Sequence, residues 1–182
     1  MSDPTFASSV VTSYPDGSGA ALTLADVSST TKTIVRAAVD TAAAAGLGSA
    51  FGTSRSDGGL LVLGQRPGEW VLLGDAGAFI ADLDTTGHVS VIDHTHSRAL
   101  FRLTGAEAAS LLEKVCSLDW SDAMTPDGAV VSASVAKVTC DLTRQDVDGR
   151  PSYLIACDRS FGQYLFDALL DAGDEFGIGV VA

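Results

Sequence analysis

The sequence is short of positive charge, with 11 Lys and Arg against 23 Asp and Glu and a formal net charge of −12. An acidic surface repels phosphate backbones and anionic headgroups at any distance that salt does not screen, so no nucleic-acid and no membrane partner is expected. The acidic residues stand singly along the chain rather than in a tail, the pattern of a solvated surface that favours solubility. No apolar run approaches the roughly 20 residues that span a bilayer. The opening Met1-Ser2-Asp3-Pro4-Thr5-Phe6 lacks the basic stretch and apolar core of a secretory leader, and the expected location is cytoplasmic. Cysteine is scarce: Cys116, Cys140 and Cys157 are an odd number set in apolar segments without a CxxC, which predicts reduced core thiols and not a disulfide framework. There is no GxxxxGK[ST] phosphate loop and no GxSxG elbow, so nucleotide hydrolysis and the usual serine-hydrolase geometry have no visible parts.

What is present is the material of a globular protein. The 182 residues, 46% hydrophobic and 19% charged, suffice for one sizeable core or two small lobes sharing one. Residues 1–19 mix Ser, Thr, Pro, Asp and Gly and read as a flexible N-terminal arm, leaving 20–182 as a single unit. Strands are predicted at 20–27 and 31–37, then a helix over the Ala-rich 38–45 stopped by Gly46, then a loop over 48–59. Two apolar runs, 60–63 and 69–73, flank Gly64-Gln65-Arg66-Pro67-Gly68 and read as a hairpin. A short helix at 75–84 precedes strands at 88–93 and 98–103, rich in β-branched and apolar residues.

Thr104-Gly105-Ala106-Glu107 opens a helix that carries Ala108, Leu111, Leu112 and Val115 on one stripe, with Glu107 favourable for the dipole. After a loop over 119–128, strands are predicted at 129–136, 138–143 and 152–156. Asp158 is placed to cap a last helix, 159–172, whose apolar side holds Phe161, Tyr164, Leu165, Ala168, Leu169 and Ala172. Hairpins and single helices without regular βαβ alternation predict an α+β fold of antiparallel sheets covered by helices.

The candidate chemistry is sparse. Gly46 to Gly52 imitates a dinucleotide loop but follows a helix, whereas such a loop must follow a strand. His94 and His96, beside Asp93, would share one face of a strand and could begin a zinc site, yet only His88 and the scattered cysteines could complete it. Turn duty is the preferred reading, and no metal is assigned. Asp93, Asp141 and Asp158 sit at the edges of apolar segments, where a cleft could shift their pKa values and where capping or turn roles are the ordinary ones. Trp70 and Trp120 serve the core or an interface. No complete catalytic constellation is visible.

Several segments recur in a family order. Gly64-Gln65-Arg66-Pro67-Gly68-Glu69-Trp70-Val71-Leu72-Leu73 is similar to a Gly-Pro-x-Glu-Trp-Leu hairpin, and Val91-Ile92-Asp93-His94-Thr95-His96-Ser97-Arg98 to a Val-Asp-x-Ser segment before a strand. Leu103 to Leu112 matches a Leu-Ser-Gly-x-x-Ala-x-x-Leu-Leu helix start, and Cys116-Ser117-Leu118-Asp119 a following Cys-Pro-Leu-Asp. Pro126-Asp127-Gly128-Ala129, Arg159 to Leu165 and Glu175-Phe176-Gly177 continue the series. On these motifs the region 58–177 resembles the gamma subunit of heterotetrameric sarcosine oxidase, a relative of the folate-binding T protein of the glycine cleavage system. Residues 1–57 match poorly.

The resemblance implies two entwined α+β lobes of the T-protein kind. It implies a small, non-catalytic subunit of an oxidoreductase complex that oxidatively demethylates sarcosine, or a related N-methyl amine, to glycine, passing the one-carbon unit to tetrahydrofolate. FAD, FMN and NAD would belong to larger alpha and beta flavoprotein subunits, tetrahydrofolate to alpha, and zinc to a small delta subunit, with no cofactor in this chain. The T-protein pattern of Tyr-x-x-x-Leu-Asn followed by an Asp-Asp pair is missing between Val130 and Thr143, where only Asp141 remains. The alternative is a stand-alone folate-binding or methyl-transfer protein with Asp93, Arg98 and Asp141 around a pterin.

Overall fold

The computed structural model describes residues 7–181. The chain lays down β1 (Leu22–Asp26), β2 (Lys32–Arg36), α1 (Ala42–Leu47), β3 (Ser54–Asp57), β4 (Leu60–Arg66), β5 (Glu69–Leu73), α2 (Gly77–Ala81) and β6 (Ser90–Asp93). It continues through β7 (Arg98–Thr104), α3 (Ala108–Val115), β8 (Val130–Val135), β9 (Val138–Arg144), β10 (Ser152–Asp158), α4 (Gly162–Gly173) and β11 (Ile178–Val181). One sheet has six strands in the order β11-β1-β7-β10-β9-β8, the other five in the order β3-β4-β5-β2-β6. Every pairing between these strands is antiparallel except β1 with β11. The chain starts in the six-stranded sheet with β1, leaves to build the whole of the other, and returns with β7, so the lobes are entwined as expected of an α+β protein.

Hydrophobic patterning explains the stacking. The face of the six-stranded sheet that meets α3 and α4 buries Leu24, Phe101, Leu103, Leu112, Leu165 and Phe166. The outer face of the five-stranded sheet buries Val35, Val62, Trp70 and Leu72 with Leu47 of α1. Between the sheets lie Leu61, Leu63, Leu73, Leu100, Val130 and Leu154. β4 therefore buries both faces, which is why Leu60-Leu61-Val62-Leu63 is a continuous apolar run rather than an alternating one. Cys116, Cys140 and Cys157 are all buried free thiols, and both tryptophans are core, with Trp70 Nε1 donating to Ser49 O at 2.8 Å.

Several expectations are corrected. The first helix starts later than residue 38 because Thr41 is its cap, accepting from Ala44 N at 3.3 Å, and it ends on Gly48 at φ 65° rather than Gly46. The supposed loop over 48–59 contains β3, a polar edge strand without apolar alternation, and the Ile-Gly-Val-Val tail forms β11. Asp158 caps nothing through its side chain; its carboxylate accepts from Arg98 instead. α4 buries Leu165, Leu169 and Ala172 as expected, but Phe161, in the 3-10 turn Arg159–Phe161, and Tyr164 are half exposed, while Phe166 enters the core against Phe101, ring centroids 5.2 Å apart.

Part of the segment read as an arm is laid along the fold. Val11 N and Thr12 N both donate to Gln163 Oε1, at 2.7 and 3.1 Å. Tyr14 packs on Phe166 with centroids 5.3 Å apart, and Gly17 N donates to Val180 O at 2.6 Å. Gly17 and Gly179 permit that approach: a Cβ on Gly17 would lie 2.3 Å from Gly179 Cα. Residues 1–6 lie outside the described residues.

Candidate functional site

Where the two sheets diverge beyond their shared leucines, they enclose a cavity of about 250 Å³. Its apolar walls are Ile34, Leu63, Val71, Leu100, Leu154 and Ala156. Its rim is a chain of charges that alternates in sign and crosses from one sheet to the other. Arg36 Nε donates to Glu69 Oε2 at 2.7 Å, and Arg66 Nη1 to Glu69 Oε1 at 2.8 Å. Arg66 Nη2 reaches Asp141 Oδ1 at 3.4 Å, Arg98 Nη2 donates to Asp141 Oδ2 at 2.7 Å, and Arg98 Nη1 to Asp158 Oδ1 at 2.8 Å. Asp141 Oδ1 also accepts from Ser132 Oγ at 2.6 Å, and Arg98 also reaches Ala156 O at 3.2 Å. Burial pushes the Glu69 carboxyl up, but the Arg36 and Arg66 guanidiniums outweigh it and hold it below the usual carboxylate value.

At the inner end Lys32 is 2% exposed. Its Nζ donates to Ser28 O at 2.7 Å, Thr30 O at 2.9 Å and Thr95 O at 3.3 Å, tying the β1–β2 and β6–β7 connections together. Burial pushes its pKa down to about 8. An ammonium satisfied by three carbonyls is a structural cross-brace, with no donor left for a ligand.

The sequence candidates divide here. Arg98 and Asp141 meet at the rim, as does Asp158. Asp93 does not: it ends β6, and its Oδ1 accepts from Thr95 N at 2.8 Å. Its pKa is held down by the Thr95 side-chain and backbone hydrogen bonds. His94 and His96 lie in the turn after β6, so the strand alternation that would aim both at one metal does not apply; His94 Nδ1 and Ser97 Oγ lie 2.9 Å apart. Among the described residues no three His, Cys, Asp or Glu side chains group as a metal site would need. Sequence reasoning missed Lys32, Arg36, Arg66 and Glu69. The one signal was Arg66 and Glu69 flanking the Pro67-Gly68 turn at the i,i+3 spacing of an ion pair.

The cavity falls below the ~300–1,000 Å³ typical of small-molecule clefts, and the rim's charged groups are matched to one another.

The family model described as the GCVT N-terminal domain matches residues 73–182, more than half of the chain. The chain belongs to the GCVT N-terminal domain family. Among solved structures, this GCVT chain is similar to one from the heterotetrameric sarcosine oxidase of Corynebacterium sp. U-96, in complex with pyrrole 2-carboxylate. That likeness has a TM-score of 0.74 and 26% identity, and covers 88% of each chain. It also shares its fold with the glycine cleavage system aminomethyltransferase T of Bartonella henselae, with a TM-score of 0.66 and 20% identity over 89% of this chain. The GCVT chain spans 48% of that second protein's length. Comparison with curated proteins gave no match. Among the described residues no helix is long and apolar enough to cross a membrane.

Proposed function

We propose that the chain is a small, non-catalytic subunit of a heterotetrameric complex of the sarcosine oxidase type, which oxidatively demethylates sarcosine or a related N-methyl amine to glycine. The observation that carries this reading is the reciprocal coverage of 88% with a chain of the Corynebacterium heterotetramer, against about half the length of the aminomethyltransferase. A shared fold does not transfer chemistry, so the non-catalytic part rests on the residues themselves. The cavity's Arg, Asp and Glu groups are joined to one another in ion pairs, Lys32 is capped by carbonyls, and the Cys140 and Cys157 thiols are pushed up by burial to about 12 and about 11, far from a reactive thiolate. The flavins, NAD, tetrahydrofolate and zinc then belong to larger alpha and beta subunits and a small delta subunit.

The test is to purify the tagged protein natively from its own cells and record the mass and visible absorbance of what accompanies it. Flavin-absorbing partners several times its mass are the expected result. A chain that elutes alone and colourless overturns the reading and makes folate binding by the monomer the next measurement.

A further inference from the structure

We infer that Cys140 and Cys157 are an oxidative modification site: hydrogen peroxide joins them in a disulfide across β9 and β10, which stops their oxidation short of the irreversible acids. This goes beyond the subunit reading and does not depend on it.

The register places the two thiols. Cys140 and Cys157 are directly paired between β9 and β10. The β8–β9 hairpin turns through two residues, Ala136 and Lys137, both at positive φ, 45° and 70°. In such a hairpin the flanking pair, Val135 and Val138, is hydrogen-bonded. Alternation then points the N–H and C=O of Cys140 toward β8, and those of Asp141 and Thr143 toward β10. The far end of the ladder agrees, with Gln145 N donating to Ser152 O at 2.8 Å. Cys140 and Cys157 are therefore a non-hydrogen-bonded pair, the kind whose side chains stand closest on one face and whose Cα atoms lie about 4.5 Å apart. That is inside the range of about 4.4–6.8 Å that a disulfide spans, so the bond can close without parting the strands.

Both side chains lie in the core on the face covered by α3 and α4, 0% exposed. After burial, the neighbouring Cys157 thiol is the next cause that pushes the Cys140 thiol up. Cys140 Sγ donates to Val138 O at 3.4 Å. Cys116 ends α3, outside the sheet ladders.

Burial divides the chemistry into a slow step and a fast one. A thiol held protonated and enclosed meets peroxide only through local opening, so the pair is not a rapid sensor of the exposed, ionised kind. On opening, one sulfur attacks as the thiolate, the peroxide O–O bond breaks, and a sulfenic acid and water form. The other thiol then attacks the sulfenic sulfur, and a second water leaves as the S–S bond closes. Two thiols give up two protons and two electrons, and one hydrogen peroxide becomes two waters. A sulfenic acid without a resolving thiol goes on to sulfinic and sulfonic acids; here the resolving thiol stands opposite. The bond would fasten the two strands whose next residues, Asp141 and Asp158, both accept from Arg98, and would fix that corner of the cavity rim with them.

The test treats the natively purified, reduced protein with hydrogen peroxide under conditions that leave its far-UV circular dichroism unchanged, blocks the remaining thiols in urea and maps the tryptic fragments by mass. Cleavage after Lys137, Arg144 and Arg159 puts Cys140 and Cys157 on separate fragments and Cys116 on a third. The expected result is a 140–157 linkage, short of two hydrogens, in about tenfold or greater excess over any linkage to Cys116, because pre-aligned groups react ahead of unaligned ones. The chain oxidised in urea should give all three pairings. A native chain in which Cys140 and Cys157 stay as thiols, pass to sulfinic acid, or pair with Cys116 as often as they do in urea overturns the inference. Either outcome leaves the subunit reading as it stands, because that reading is decided by what co-purifies.

Discussion

Arg98 and Asp141 meet in a 2.7 Å hydrogen bond that reaches from β7 to β9 across the intervening β10. The same carboxylate is approached by Arg66 of the facing sheet at 3.4 Å, so Asp141 is the point at which the charge chain crosses between lobes. Asp141→Ala leaves Arg98 with Asp158 and Arg66 with Glu69. The expected cost is about 1–3 kcal/mol for the lost charged hydrogen bonds, read as a fall of roughly 2–4 °C in melting temperature per kcal/mol. Arg98→Ala and Asp141→Ala combined should fall short of the sum of the two by at least ~0.5 kcal/mol. Strict additivity in denaturant melts would show that the pair does not act as one unit.

Gly64 is where segment 50–53 crosses β4, with Gly52 N donating to Gly64 O at 2.8 Å and Gly64 N to Thr53 O at 2.9 Å. A Cβ there would lie 2.0 Å from Ala50 O. Gly64→Ala must push backbone against backbone, and a loss above ~3 kcal/mol is expected. Gly19→Ala, with open space around it, should stay within about 0.5 kcal/mol. Equal effects in urea unfolding would refute the close approach.

Two kinds of buried group give stability an opposed pH dependence. Lys32, pushed down to about 8 from 10.5, makes the unfolded chain bind more protons between those values, so its contribution rises with pH from about 8. Cys140 and Cys157, pushed up from 9.0 to about 12 and about 11, hold protons in the folded state that the unfolded chain releases. Their contribution is full below pH 9 and is lost above it, by up to roughly 1.4 kcal/mol per pH unit for each thiol. Stability should climb from pH 8 to 9 and turn down beyond. Lys32→Met abolishes the climb and spares the fall; a pH series of denaturant midpoints showing no difference in slope between the two proteins would count against it.

Gln163 holds the N-terminal strap through Val11 N and Thr12 N. Gln163→Ala should open residues 7–15 to limited proteolysis while changing global stability by less than ~1 kcal/mol, because a mobile surface segment opens locally. Cleavage rates equal to wild type would show that the strap is held by its other contacts, Ala7 with Arg159, Ser8 with Asp26, Tyr14 with Phe166 and Gly17 with Val180.

Much of the fold is legible along the chain. The β4–β5 hairpin follows from Pro67-Gly68 between apolar runs, α3 from the stripe Ala108, Leu111 and Leu112, and the three buried free thiols from their apolar neighbours. β3 escaped notice because an edge strand of Ser-Arg-Ser-Asp carries no hydrophobic period. The buried Leu165, Leu169 and Ala172 of α4 follow from its stripe, whereas the half-exposed Phe161 and Tyr164 do not, since nothing local announces that Arg159–Phe161 winds as a 3-10 turn. Arg98 and Asp141 are legible as candidates, whereas Asp93 is absent from the cavity lining although its neighbour His94 belongs to it, because the Asp93 carboxylate is taken up by Thr95 N.

By itself the sequence determined the local and compositional properties: strands and helices from hydrophobic period, turns from Pro and Gly, and an acidic surface that discourages polyanionic partners. Tertiary structure alone decided that residues 36, 66, 69, 98, 141 and 158 form one alternating row of charges, and that Cys140 stands opposite Cys157. Both depend on strand order and register between separate segments of the chain. Long-range pairing is fixed by how buried faces stack, and no local window of residues contains that information.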